Sequence, residues 1–218
     1  IDLCPALGIS IPVGKDSMSM RTRWTEAGST HDVVSPVSLI VSAFAPCDDV
    51  RSTWTPQLRT DVGATSLVLI DLAAGQARLG GSILAQALGQ AGGDVPDLDH
   101  PAAIRDLFAA LAQLRAAGLV LAYHDRSDGG VFVTAAEMAF AGHAGVALDA
   151  DALDARPAAG DTDLLAALFA EELGAVIQVC DADLEHTLAL LGTHGVDGRV
   201  VGRASGAELT AVRHVHVQ

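Results

Sequence analysis

Aromatic residues make up only 4% of this 218-residue chain. Stacking platforms for single-stranded nucleic acid are built from such rings, so that class is disfavoured. Basic residues are scarce too: 13 Lys and Arg stand against 27 Asp and Glu, a net charge of −14. Such a chain has no broad attraction for phosphate backbones or anionic lipid. Local phosphate binding through backbone N–H groups and a metal ion stays open. Cysteine is sparse and odd in number. Cys4, Cys47 and Cys180 form no CxxC pair, which argues against a zinc site and a disulfide framework. Buried free thiols in a reducing cytoplasm are expected instead. No apolar run reaches the ~18–20 residues that cross a bilayer. No signal peptide or lipidation motif is recognisable. The first residues after Ile1 read as mid-domain sequence, so a piece of a longer protein is expected.

What is present is a large apolar complement. Half of the residues are hydrophobic, enough for a sizeable core in one large domain or two small ones. Ile9, Ile11 and Val13 alternate with polar or small residues and predict a short strand. Residues 25–32 read as a turn-rich link and 33–45 as a strand with Pro36 near its start. Residues 47–63 are polar and without period, the best candidate for a link between substructures. Beyond them strands and helices alternate. Strands are predicted over 66–72, 119–123, 145–148, 174–179 and 199–203. Helices are predicted over 83–88, 102–117, 131–141, 161–171 and 182–191. Positions 104, 107, 108, 111 and 114 give the second helix its apolar stripe, and Gly118 stands where a left-handed cap is needed. This order predicts a layered α/β or α+β domain.

Two segments carry chemistry. At 13–19, VGKDSMS places Gly14, Lys15, Asp16 and Ser17 after the first strand. Lys15 lacks the glycine spacing of a Walker A loop, and a solvated surface turn is as good a reading. At 124–130, HDRSDGG sits between a buried strand and an apolar helix. Asp125 and Asp128 are hard oxygen donors suited to Mg²⁺. Ser127 can donate to phosphate. Gly129 and Gly130 permit a tight turn and a close backbone approach. The bland reading is a capped turn with Asp128 as N-cap. Two carboxylates, Arg126, His124 and two glycines in seven residues exceed what a cap requires, which favours a ligand site. Glu137 reads as a half-exposed helical residue. Glu171 and Glu172 read as a solvated turn pair rather than as ligands. His214 and His216 alternate with valine as on an exposed strand and lack further metal ligands nearby.

The blocks IPVGKDSMSMRTRW (11–24), SPVSLIVSAFAP (35–46), AYHDRSDGGVFVTAAEMAFAGHAG (122–145) and LFAEELGAVIQV (168–179) resemble the large-form phosphoribosylformylglycinamidine synthase family, the formylglycinamide ribonucleotide amidotransferases. The resemblance implies an α/β (α+β) fold of the aminoimidazole-ribonucleotide-synthetase type. It casts the chain as a fragment of the second such unit in the synthetase core. Residues 1–55 would be the rear part of the first, barrel-forming subdomain, 56–63 a linker and 64–218 the C-terminal α/β subdomain. It implies a part in the ATP-dependent conversion of formylglycinamide ribonucleotide and glutamine-derived ammonia to the amidine in purine biosynthesis, in the cytoplasm. The alternative is a structural module holding an auxiliary Mg²⁺-nucleotide without catalysis of its own. The implied cofactors are ATP or ADP and Mg²⁺. By the resemblance Asp125 would ligate Mg²⁺ and Ser127 would contact nucleotide, while Lys15, Asp16 and Ser17 gain no role beyond nearness to phosphate. No catalytic residue is assigned, and Cys180 is no glutaminase nucleophile. The implied partners are the remaining domains: a first synthetase unit, an N-terminal cap and a glutaminase. The 33–45 strand is also expected to pair with a second copy, or to stay unpaired and promote association. Selenophosphate synthetase and thiamine-phosphate kinase, of the same superfamily, lack the combination of GKDSMSM and HDRSDGG.

Overall fold

The structure is a computed structural model describing residues 2–15, 20–35, 38–47, 49–153, 161–205 and 211–213. Asp16, Ser17, His214 and His216 therefore lie outside the described residues. Two compact units divide the chain, Ile1–Arg51 and Ser52–Gln218.

The first unit holds a short helix, α1 (Leu3–Leu7), and a hairpin of β1 (Arg21–Glu26) and β2 (Ser29–Val34). Glu26 faces Ser29, leaving a two-residue loop. Its residues Ala27 and Gly28 have φ of 50° and 84°. Positive φ at both positions gives the turn twist that matches paired strands. Residues 25–32 are thus the body of a hairpin rather than a link. The strands expected at 9–13 and over the whole of 33–45 do not form: residues 9–15 and 38–47 are irregular, and β2 ends at Val34. An alternating pattern becomes a strand only when a neighbour pairs with its backbone. No described residue of this unit is buried; Ile40 is 90% exposed and Phe44 95%.

The second unit is a three-layer sandwich. Its strands are β3 (Thr65–Asp71), β4 (Ala122–Asp125), β5 (Gly145–Asp149), β6 (Gly174–Cys180), β7 (Asp197–Ser205) and β8 (Ala211–Arg213), in the order β4-β6-β3-β7-β5-β8. Neighbours are antiparallel except β5 with β8. Successive strand side chains point to opposite faces, so β3 feeds two cores. Leu67 and Leu69 join Met138, Val131 and Leu168 on one face. Val68 and Ile70 join Leu114, Leu111 and Leu191 on the other. The helices follow from this division. α4 (Gly130–Gly142), α5 (Ala150–Leu153) and α6 (Asp161–Phe169) contribute to the first face. α3 (Pro101–Ala117) and α7 (Leu184–Thr193) cover the second. A shorter helix, α2 (Ile83–Ala87), starts at Ser82, whose hydroxyl accepts from Ala85 N at 3.2 Å.

In α3 the buried stripe is Leu107, Ala110, Leu111 and Leu114, while Phe108 is exposed. One residue turns the helix by 100°, which carries Phe108 off the face that Leu107 buries. The C-terminal Gly118 has φ of 68°, as expected of the cap. Residues 56–63 pack within the second unit rather than running free as a linker. Leu58 is 3% exposed in the core, and buried Gln178 of β6 pairs with Arg59 as a strand would. Its Oε1 accepts from Arg59 N at 2.8 Å and its Nε2 donates to Arg59 O at 2.7 Å. Gln178→Leu is expected to remove both bonds to Arg59 and the one to the buried Thr65 hydroxyl at 2.9 Å, and to cost about 1–3 kcal/mol in urea unfolding; a neutral change would contradict this pinning. None of the three cysteines is buried or bonded: Cys47 is exposed, Cys4 and Cys180 intermediate. The expectation of buried thiols is corrected accordingly. Among the described residues no helix is long and apolar enough to cross a membrane.

Candidate functional site

The segment 124–130 leaves the sheet at the end of β4, an edge strand antiparallel to β6. The site is thus at a sheet edge, not at the carboxyl end of a parallel sheet. From there the chain turns sharply into α4. Gly129 and Gly130 have φ of 82° and 66°. A Cβ at Gly130 would stand 2.6 Å from Leu168 O, and one at Gly129 2.2 Å from a Val133 methyl carbon. Both glycines serve the turn, and Gly130 its packing on α6. Gly130→Ala is expected to destabilise the unit by about 2 kcal/mol or more through strain and overpacking; a melting temperature within a degree of wild type would contradict that.

The seven residues divide into an inner and an outer set. Arg126 turns inward. Its guanidinium donates to Asp71 Oδ1, Glu172 O and Leu173 O at 2.8, 2.5 and 2.8 Å. Asp71, at the end of β3, also accepts from Arg199 at 2.8 Å and from Ala73 N at 3.0 Å. Arg126 is therefore a buried brace, not a ligand group. His124 is also engaged: Nδ1 lies 2.8 Å from Asp125 O, and Nε2 2.8 Å from Glu137 of α4. Glu137 thus has a partner at the site.

The outer set is Asp125, Ser127 and Asp128, all exposed. Among the described residues, the side chains of Ser127 and Asp128 make no hydrogen bond, and Gly129, not Asp128, is the N-cap. Asp125 has one side-chain partner: the Tyr123 hydroxyl donates to Oδ1 at 2.6 Å. The amides of the two glycines, by contrast, are spent internally. Gly129 N donates to Glu171 Oε1 at 2.8 Å and Gly130 N to Ser127 O at 2.9 Å. Glu171 Oε1 also accepts from Ile83 N at 2.8 Å. Glu172 is fully buried and bound by Arg78 through N, Nε and Nη2 at 2.8, 2.8 and 2.7 Å. The two glutamates are thus staples between segments, not a solvated pair.

This arrangement turns two carboxylates and a hydroxyl to solvent, so it fits a hard cation better than a bare anion. Among the described residues no group of three His, Cys, Asp or Glu could hold a metal by itself. Mg²⁺ commonly takes only one or two carboxylates and completes its shell with water and phosphate oxygens, and the outer set fits that role. A separate cleft of about 720 Å³ opens beside α2, lined by Arg78, Gly80, Leu84, Asp94 and Leu165 among others, and no residue of 124–130 lines it.

Residues 66–215 match the model of the AIR synthase related protein C-terminal domain, and residues 1–46 that of the FGAR-AT PurM_N-like domain. The chain belongs to the AIR synthase related family. This AIR-synthase-related chain is 53% identical over 198 residues to phosphoribosylformylglycinamidine synthase of Schizosaccharomyces pombe. The match takes in 90% of the chain but only 14% of that protein's length. The fold is shared with Thermotoga maritima PurL complexed with FGAR, at TM-score 0.63 and 16% identity over 97% of this chain and 34% of that one. It is shared with T. maritima PurL complexed with ATP at TM-score 0.57 and 19% identity, over 78% and 26% of the two chains.

Tyr123 and Asp71 are the site's hidden members. Tyr123 reads as one more residue of a buried strand, and Asp71 as the tail of SLVLID. A lone Asp closing an apolar run is a signal of a buried ion pair, because such a charge must find a partner. Burial first, and the Asp125 carboxylate second, push the Tyr123 phenol well above its ordinary value. The folded chain therefore keeps that proton at a pH where an unfolded chain has lost it. The associated stability is complete below about pH 10 and declines as pH rises further. Tyr123 is the chain's one tyrosine, so phenolate absorbance reads it alone. Little is expected at about pH 10 in the folded protein, and half-titration there would contradict the burial.

Proposed function

We propose that this chain is part of an ATP-dependent synthetase that converts formylglycinamide ribonucleotide and ammonia to the amidine, and that its contribution is to hold a nucleotide through Mg²⁺ at 125–128. The sequence match to the S. pombe synthase supports the reaction. One observation carries the site: Asp125, Ser127 and Asp128 face solvent together from a turn held behind by the bonds of Gly129 N to Glu171 Oε1 and of Gly130 N to Ser127 O. Asp125 would ligate the ion, Asp128 would add charge or bind an ion-bound water, and Ser127 would donate to a phosphate oxygen. Mg²⁺ supplies charge neutralisation for the phosphates, the main need in phosphoryl transfer. Arg126 and Glu171 keep the turn's backbone fixed, so the outer oxygens need no reorganisation on binding.

The remaining domains of the enzyme would add further contacts to the nucleotide and supply the chemistry. The chain alone, given ATP, Mg²⁺, ammonia and formylglycinamide ribonucleotide, is expected to form no amidine; product formation would overturn this division of labour. The same domains would cover the first unit's apolar residues, Ile40 and Phe44 among them. Left uncovered, these are expected to drive self-association of the chain. Sedimentation showing a monomer at high concentration would contradict that.

A further inference from the structure

We propose that Tyr123 is the positioning residue for Asp125, fixing the carboxylate by its Oδ1 so that Oδ2 is the oxygen presented to the cation. The inference rests on the cation site proposed above. Three observations support it. The phenol donates to Oδ1 at 2.6 Å, and among the described residues no other side chain hydrogen-bonds that carboxylate. Asp125 is exposed at the end of an edge strand, where an unaided side chain would sample several rotamers.

The third observation is that the phenol itself is immobilised. Its ring stacks on Trp54 at 5.8 Å between centroids, and the Arg115 guanidinium of α3 lies 4.7 Å from the Trp54 ring. The backbone of the same residue is fixed as well, since Tyr123 N donates to Thr55 O at 2.9 Å. The order Arg115, Trp54, Tyr123, Asp125 carries rigidity from the core-packed helix to the exposed carboxylate. Partners of this kind hold a metal ligand in one orientation, and losing them commonly costs about 10–100-fold in metal affinity.

The test uses the full 218-residue chain with ADP and Mn²⁺, following free Mn²⁺ by electron paramagnetic resonance. Tyr123→Phe keeps the ring and its stacking but removes the donor. The Mn²⁺ concentration that half-saturates the ADP complex is expected to rise about tenfold or more. At saturating Mn²⁺ the ADP affinity should return to that of wild type, and the melting temperature should stay within a degree or two. An unchanged Mn²⁺ requirement would overturn the positioning role while leaving the site intact. A loss of ADP affinity that saturating Mn²⁺ does not restore would also overturn it, as a merely structural role. Wild-type protein showing no Mn²⁺-dependent ADP binding would overturn the site and the inference together.

Discussion

Asp125→Asn is expected to abolish Mg²⁺-dependent ADP binding by this chain while leaving its fold unchanged. The substitution keeps shape, and the amide oxygen can still accept from Tyr123, so the loss isolates the charge. Asp125 is exposed, and its carboxylate makes one side-chain hydrogen bond, so little stability depends on it. Ser127→Ala should weaken binding by about 1 kcal/mol, the worth of one hydrogen bond. Asp128→Asn should fall between the two. Calorimetric titration at fixed Mg²⁺ reads all three. Equal affinity in wild type and Asp125→Asn would place the nucleotide elsewhere.

The largest loss of stability is expected from Asp71→Ala. Asp71 is buried between Arg126 and Arg199, at 2.8 Å from each. The Arg126 side chain is 4% exposed, so it cannot recover hydration when its partner goes. Breaking a buried pair from one side typically costs about 3–5 kcal/mol. In a unit of this size that is on the order of 10 °C in melting temperature. Removing both charges together, as in Asp71→Ala with Arg126→Met, should recover part of the loss, because no uncompensated charge then remains buried. A single variant within 1 kcal/mol of wild type, on that same scale, would show that the brace is not needed. The brace also matters for binding, since Arg126 is flanked by two outer residues, Asp125 and Ser127. A turn loosened behind them should bind Mg²⁺-ADP more weakly even where the protein still folds.

The second unit was largely readable because its signals are local. The apolar runs around Leu67, Val176 and Val201 are strands with few alternatives, and Gly118 ends α3 where a left-handed residue must stand. The first unit was less readable because its strands depend on pairing. Residues 9–13 have a strand's alternation but no described strand pairs with them, whereas the polar run at 21–34 folds because Ala27 and Gly28 make the turn. At the site, residue types identified the place but not the orientation of each side chain. Arg126 and Asp128 stand two residues apart in one motif, yet one is buried and the other faces water. Burial of Arg126 depends on Asp71 and on the carbonyls of Glu172 and Leu173, which are 46 to 55 residues away for the contacts with Glu172, Leu173 and Asp71. Such distant partners leave no periodic trace. The same holds for Glu171, whose contacts with Gly129 and Ile83 span 42 and 88 residues.

The most direct test of the account is calorimetric titration of ADP into the chain, once with Mg²⁺ and once with the metal chelated by EDTA. Because the turn presents two exposed carboxylates, which repel a bare phosphate, binding is expected with Mg²⁺ and none without it. Equal binding in EDTA would mean that phosphate meets the protein directly, and the account of the 125–128 site would be wrong.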